Sequence, residues 1–371
     1  MNDTVRHVIG ISGGKDSSAL AIYLNDLYPG LDLEYYFCDT GKELDETYQL
    51  IKNLESYLGC SVLKLKGSGD SHLNPFDHFL QTYGGFLPSS SARWCTKKLK
   101  LEPFERYIGN DPVISYVGIR GDEDREGYIS TKSNIQSIFP FRRNIWSLDV
   151  TKQILSNEVI EVISEFYRQQ VVDEDRLERI IELVEEPVSM TLDRDHKLDR
   201  LLNLGVRDFN YVVFRFIKEF TDYPLSMVDH FPLLDNEENL VRDDIFALLK
   251  ESGVGVPAYY LPKDFTTEDA SGTYARSRSG CYFCFFQQKI EWVWLYEQHP
   301  ELYQQAMKYE GDGYSWMDNE TLAELISPQR IIQIKEDYAK KQKKREATND
   351  SPYLLDRIEE AEGEGCAACF I

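Results

Sequence analysis

Two sets of residues in this chain have the types and spacing to do chemistry. The first is Ser12-Gly13-Gly14-Lys15-Asp16-Ser17-Ser18, small and charged residues set between the apolar stretches Val8–Ile11 and Ala19–Leu24. Adjacent glycines let backbone N–H groups approach an anion closely, and a helix starting behind them adds partial positive charge. Lys15 supplies a full charge, and Ser12, Ser17 and Ser18 supply hydroxyl donors and a helix cap. The run reads as a cradle for the phosphates of ATP. It is not the longer Gly-x-x-x-x-Gly-Lys-Ser loop, because the glycines adjoin and Asp16 follows the lysine.

The second set is cysteine. Cys95 stands among Arg93, Lys97, Lys98 and Lys100, cations expected to lower its thiol pKa, and Cys281 and Cys284 form a Cys-x-x-Cys pair. Three thiolates on a [4Fe–4S] cluster leave one iron open to a sulfur ligand, whereas four on Zn²⁺ close the site. The fourth position stays open between Cys366, Cys369 and none; alternatively that tail pair carries persulfide. Cys38 and Cys60 read as buried, uninvolved thiols.

Further charged groups sit at places where strands end. Asp39, in Phe37-Cys38-Asp39-Thr40-Gly41, suits Mg²⁺ or a ribose hydroxyl, or simply caps the next helix. Arg120 and Arg125, in Gly118-Ile119-Arg120-Gly121-Asp122-Glu123-Asp124-Arg125, have forked guanidinium groups suited to phosphate, with neighbouring acids as competing partners.

These residues need a scaffold that brings distant segments together. Strand and helix signals alternate: strand near 5–11, helix from 17, strand 33–38, helix 43–58, strand 61–66, a helix ending near Gly109, and a strand from Val113 to Ile119. That rhythm predicts an α/β fold with a parallel, helix-covered sheet, whose carboxyl edge would carry the glycine pair, Asp39 and Arg120. We expect four regions: 1–150 holding the phosphate loop, a charged helical insert at 151–238, a helical region at 239–346 whose Cys-x-x-Cys completes the site, and an acidic tail at 347–371. Across 371 residues, 63 acidic and 41 basic side chains give a formal charge of −22, which repels a polyphosphate chain, so nucleic acid would have to bind through partners or a local basic strip. No run of about 20 apolar residues occurs and no secretion signal opens the chain, so a cytoplasmic protein is expected, with no membrane partner.

The Ser-Gly-Gly-x-Asp-Ser loop, Arg93-Trp94-Cys95-Thr96, Gly118-Ile119-Arg120 and Gly280-Cys281-x-x-Cys284, in that order, resemble the phosphoadenosine phosphosulfate reductase-like branch of the PP-loop adenine nucleotide alpha-hydrolases. Within it the likeness runs to the ATP pyrophosphatases of DNA phosphorothioation, the DndC/SspD type. The resemblance implies a HUP-like fold, ATP and Mg²⁺ bound by Ser12 to Ser17, Asp39, Arg120 and Arg125, and catalysis by Lys15, Asp39 and Arg120. It also implies a [4Fe–4S] cluster on Cys95, Cys281 and Cys284, with structural Zn²⁺ as the alternative. Such an enzyme adenylates an acceptor oxygen, takes sulfur from a cysteine desulfurase, and works with other phosphorothioation proteins in antiviral defence. Relatives of this type carry another cysteine about twenty residues ahead of the pair, where this chain reads Pro257-Ala258-Tyr259-Tyr260. The Glu-Cys-Gly-Leu-His terminus of sulfonucleotide reductases is absent here. A tRNA thiolase or other sulfurtransferase, a sulfonucleotide reductase and a nucleotide-binding assembly component are the alternative functions.

Overall fold

A computed structural model describes residues 5–123, 130, 132–311, 313–317 and 319–349; Arg125, Cys366 and Cys369 lie outside the described residues. Five parallel strands, β1 (Arg6–Gly10), β2 (Leu33–Cys38), β3 (Leu63–Leu65), β4 (Val113–Tyr116) and β5 (Ile135–Ile138), form a sheet of order β3-β2-β1-β4-β5. The apolar runs bury both faces. Ile9, Tyr35, Phe37 and Ile114 enter one core, while Val8, Tyr36 and Val113 meet Phe104 and Ile108 on the other side.

The chain moves outward in one direction through α1 (Lys15–Leu27), β2, α2 (Asp45–Leu58) and β3. It then returns by α3 (Pro75–Thr82), α4 (Trp94–Thr96), a π-helix at Lys97–Leu101 and α5 (Glu102–Ile108) to lay β4 on the opposite side of β1. The strand order therefore reverses between β1 and β4, and their carboxyl ends flank the crevice where ligands of open parallel sheets bind. The expected strands and helices of the first third are present, with α1 starting at Lys15 and β4 stopping at Tyr116. The strand β5 was not expected.

Beyond β5, the helices α6 (Leu148–Ile154), α7 (Ile160–Gln170), α8 (Glu174–Glu185), α9 (Arg194–Leu204) and α10 (Val206–Phe220) carry the charged periodicity. Their apolar faces, with Phe166, Leu183, Leu201, Phe209, Val213 and Ile217, join the same core as Ile9, Leu20 and Phe37, leaving the charged faces outward. α11 (Arg242–Glu251) packs on α1.

A second core forms from the rest: the antiparallel pair β6 (Lys263–Thr266) and β7 (Ser271–Tyr274), then α12 (Lys289–Gln298), α13 (Pro300–Met307), α14 (Leu322–Leu325) and α15 (Pro328–Asn349). It is aromatic, and it reaches back to the first third through Phe76, whose ring lies 4.5 Å from that of Phe283 and 5.3 Å from that of Trp94. Tyr309 adds a hydrogen bond of 2.6 Å to Asp77, which also pairs with Lys42 at 2.9 Å. Among the described residues no helix is long and apolar enough to cross a membrane.

Candidate active site

The loop after β1 turns at Gly13, whose φ of +71° favours glycine, and a side chain there would lie 2.2 Å from Thr47 Cγ2. Ser17 ties the loop down: its Oγ accepts from Ser12 N at 3.1 Å, lies 3.1 Å from Ser12 Oγ, and donates to Gly14 O at 3.3 Å. The expected serine hydroxyls are therefore partly spent on shaping the cradle.

Lys15 is only 5% exposed and its Nζ donates to Asp16 at 2.7 Å. Burial depresses the Lys15 ammonium pKa, against the pull of Asp16. Asp16 meets Arg120 at 2.8 Å on its other oxygen. Burial favours its neutral form, but Lys15 and Arg120 outweigh that and hold the carboxyl below the ordinary range.

Arg120, 8% exposed, stands just beyond β4 and also pairs with Asp122 at 2.7 Å and Glu123 at 2.8 Å. Its burial cost is more than offset by Asp16 and Glu123, and its pKa rises. Both sequence readings of this arginine thus meet in one residue: it lies beside the loop, and acids hold it. Gly118 makes the approach possible, since a Cβ there would sit 2.9 Å from Asp16 O.

Asp39 lies at the end of β2 on the same sheet edge. Its Oδ1 accepts from Gly41 N at 2.8 Å and from Tyr48 Oη at 2.9 Å, a turn-capping role that leaves Oδ2 for a cation or a ribose hydroxyl.

The three cysteines come together. Cys95, Cys281 and Cys284 line one cavity of about 60 Å³ with Ser12, Thr40, Glu43, Lys100 and Ser279, so the phosphate loop and the thiols open onto shared space. Two arrangements bring them there. The segment at Cys281 runs antiparallel to Glu43, with Tyr282 N donating to Lys42 O at 3.0 Å, and the Phe76–Phe283–Trp94 contacts pull the Cys95 helix in. The π-helix directly after Cys95 widens the backbone at Lys97–Leu101, a local distortion frequent at functional sites.

The thiols differ from expectation in one respect. Burial and the neighbouring Cys284 push the Cys95 thiol up to about 12, and Lys100 only partly opposes them, so the basic flank does not lower it. Burial also raises Cys281 and Cys284. Cys38 is buried as expected, while Cys60 is exposed.

Sequence reasoning missed several residues of this site. Glu43 is buried, accepts from Thr40 Oγ1 at 2.6 Å, and has its other oxygen unpartnered; burial raises its pKa. Thr40 Oγ1 lies 3.2 Å from Cys281 Sγ. Arg276, 1% exposed, donates to Cys281 O at 3.2 Å, while among the described residues Nε and Nη1 have no hydrogen-bond partner. Tyr259 and Tyr260 cover the loop from above. Only the Thr-Gly after Asp39 and the Arg-Ser-Arg-Ser-Gly before Cys281 hint at any of this in the sequence.

Residues 6–169 match the model of the phosphoadenosine phosphosulfate reductase domain. An uncharacterized protein of Methanocaldococcus jannaschii is 30% identical over 169 residues, covering 42% of this chain and 33% of its own. An uncharacterized nin region protein of Escherichia phage lambda is 27% identical over 145 residues, covering 32% and 49%. The tRNA-specific 2-thiouridylase MnmA of Haemophilus ducreyi is 25% identical over 169 residues, covering 38% and 44%. The alignments thus span between 33% and 49% of these relatives' lengths. The matched part of the chain is similar to PP-loop domains that act on nucleotides in sulfur metabolism, and such domains generally take ATP and Mg²⁺.

Proposed function

We propose that the protein is an AMP-forming ATP pyrophosphatase that activates a DNA backbone oxygen for replacement by sulfur. One observation carries the reading: Ser12, at the head of the glycine-lysine loop, and three cysteines line a single cavity. An acceptor oxygen attacks the α-phosphorus of ATP and pyrophosphate leaves; sulfur then attacks the activated centre and AMP leaves. Lys15 and Arg120, already next to each other through Asp16, stabilise charge growing on pyrophosphate. Asp39 would hold Mg²⁺ or the ribose.

Three soft thiols share a cavity wall near Lys100, although among the described residues no group of three His, Cys, Asp or Glu is arranged to hold a metal ion. Cys95, Cys281 and Cys284 would hold a [4Fe–4S] cluster, which when bound offers an open iron for sulfur. The sulfur comes from a cysteine desulfurase, and the −22 charge makes DNA delivery by partner proteins the natural arrangement.

The reading is tested by co-expressing the protein with its genomic neighbours, digesting the DNA and seeking phosphorothioate dinucleotides by mass spectrometry, alongside AMP release from ATP. AMP release without phosphorothioate, accompanied by 2-thiouridine in tRNA, establishes the second reading, which the similarity to the thiouridylase favours. No AMP release at all overturns both.

A further inference from the structure

The phosphate loop is covered by a segment more than 240 residues downstream. Tyr259 Oη donates to Gly13 O at 3.0 Å, and Lys15 N donates to Tyr260 Oη at 3.4 Å. A Cβ on Gly14 would lie 2.5 Å from Ser279 Oγ and 3.3 Å from Tyr260 Oη, so two hydroxyls press on the bare backbone of the cradle. The Lys15 ammonium sits 5.4 Å from the Tyr260 ring centroid.

The first N–H of a 13-residue helix therefore points at a hydroxyl oxygen, where an anion's oxygen would sit at such a helix start. At 3.4 Å this is a long, weak bond. A phosphate oxygen makes a shorter, charge-assisted one and displaces it. Ser and Tyr hydroxyls both donate and accept, so the displaced groups can turn and donate to the phosphate that replaced them.

Ser279 is also two residues from Cys281. The link is Gly280, at φ +110°, a conformation that favours glycine and that a small rotation can change. Cys281 Sγ in turn rests 3.2 Å from Thr40 Oγ1, and Ser12, Ser279 and Cys281 line the same cavity.

We propose that Tyr260 and Ser279 are positioning residues that complete the nucleotide-phosphate cradle, and that through Gly280 they make the placement of Cys281 depend on whether the cradle is filled. This rests on the nucleotide reading above. Phosphate binding lifts the two hydroxyls off Gly14 and Lys15 N, and the shift at Ser279 passes to Cys281. The thiol chamber would thus take its working shape only with nucleotide in place.

The test uses the full-length protein, Mg²⁺ and an ATP analogue with a methylene bridge between the α and β phosphates. Affinity is read by equilibrium dialysis, and labelling of each cysteine by N-ethylmaleimide, in the metal-free protein, is read by peptide mass spectrometry. Saturating analogue should change the Cys281 labelling rate at least about fivefold while leaving exposed Cys60 unchanged. Tyr260→Phe, which keeps the ring and its packing, and Ser279→Ala should each weaken binding by about tenfold, the loss typical of one hydrogen bond to a charged group. Ser279→Thr, which keeps the hydroxyl, should restore both affinity and the labelling change. Analogue that binds without altering Cys281, or that binds Tyr260→Phe and Ser279→Ala as tightly as the parent, overturns the coupling and leaves the nucleotide reading standing. An analogue that fails to bind the parent overturns both.

Discussion

Replacing Lys15 by alanine separates the chemistry of the loop from the stability of the fold. Lys15 is almost fully buried, its ammonium is disfavoured by that burial, and among the described residues it pairs with Asp16 at 2.7 Å. Removing it leaves Asp16 with Arg120 at 2.8 Å, so no carboxylate is stranded and the sheet keeps its packing. A lysine bond to phosphate contributes about 1.5–3 kcal/mol, which at about 1.4 kcal/mol per tenfold is roughly 10–150-fold in nucleotide affinity. Charge stabilisation on departing pyrophosphate adds a further factor of about 10²–10³ in rate. Lys15→Ala should therefore show nearly the parent melting temperature and iron content, bind ATP more weakly, and release AMP and pyrophosphate at under about a thousandth of the parent rate. Pyrophosphate release is followed by coupled phosphate detection, AMP by chromatography, and Lys15→Arg controls for charge. Pyrophosphate release from Lys15→Ala at the parent rate would refute the assignment of this loop.

Three other outcomes follow from the geometry. In metal-free protein the Cys95 thiol, raised to about 12, should be alkylated at pH 8 far more slowly than an ordinary thiol of pKa about 8.5; the thiolate fractions alone differ by roughly 2,000-fold. Equal labelling of Cys95 and exposed Cys60 in a timed reaction would contradict the desolvated environment of the Cys95 thiol. Gly118→Ala forces a methyl to within 2.9 Å of Asp16 O, a rigid backbone atom, so it should cost about 1–3 kcal/mol of stability and pull Arg120 off the loop, weakening ATP binding; unchanged dialysis affinity would count against the contact. Burial raises the pKa of Asp77, but bonds from Tyr309 and Lys42 outweigh that and hold it below its usual 3.8, so its contribution to stability is complete above that value and lost as pH falls through the lower folded pKa. Asp77→Asn should flatten the acid limb of urea-midpoint curves below about pH 4, and an unaltered limb would remove Asp77 from the tie between the two cores.

The first third was legible because its information is local. A buried strand, a glycine pair and a helix with apolar Ala19, Leu20 and Leu24 follow one another directly, and the pattern of each names its element. Strand β5 escaped because Ile135-Gln136-Ser137-Ile138 puts two polar residues in its middle; Gln136 is nonetheless buried, its amide oxygen accepting from Leu225 N at 3.0 Å, a partner 89 positions away. The cysteine trio was visible as residue types, and the convergence of its members rests on aromatic contacts such as Phe76 on Phe283 that no local pattern encodes. The same contacts explain the failed expectation for Cys95. Flanking lysines suggested an exposed, electropositive thiol, but packing against the second core partly buries the residue, and desolvation of the thiol outweighs charges that remain partly in solvent. Arg276 was hinted at only by the Arg-Ser-Arg-Ser-Gly run ahead of Cys281, and it takes the fold to show, among the described residues, two guanidinium nitrogens without hydrogen-bond partners near Cys281.

The phosphate loop is held from three directions, and each contact falls on a residue that must lack a side chain. Thr47 of α2 presses on Gly13, Ser279 of the cysteine segment on Gly14, and Asp16 of α1 on Gly118 beyond β4. A loop fixed only by its own helix could be rebuilt by any neighbouring substitution; this one registers displacements of the sheet edge, of α2 and of the downstream segment together. The two cores meet along that line, with Tyr259 and Tyr260 of the aromatic core touching backbone at Gly13 and Lys15. Binding energy released at the glycines would therefore be available to move the cysteine segment, because Ser279 Oγ, one of the two hydroxyls that an incoming phosphate would displace, belongs to that segment and not to the sheet. The closeness of loop and thiols, more than the identity of either, is what would let one pocket join nucleotide cleavage to sulfur delivery in the proposed reaction.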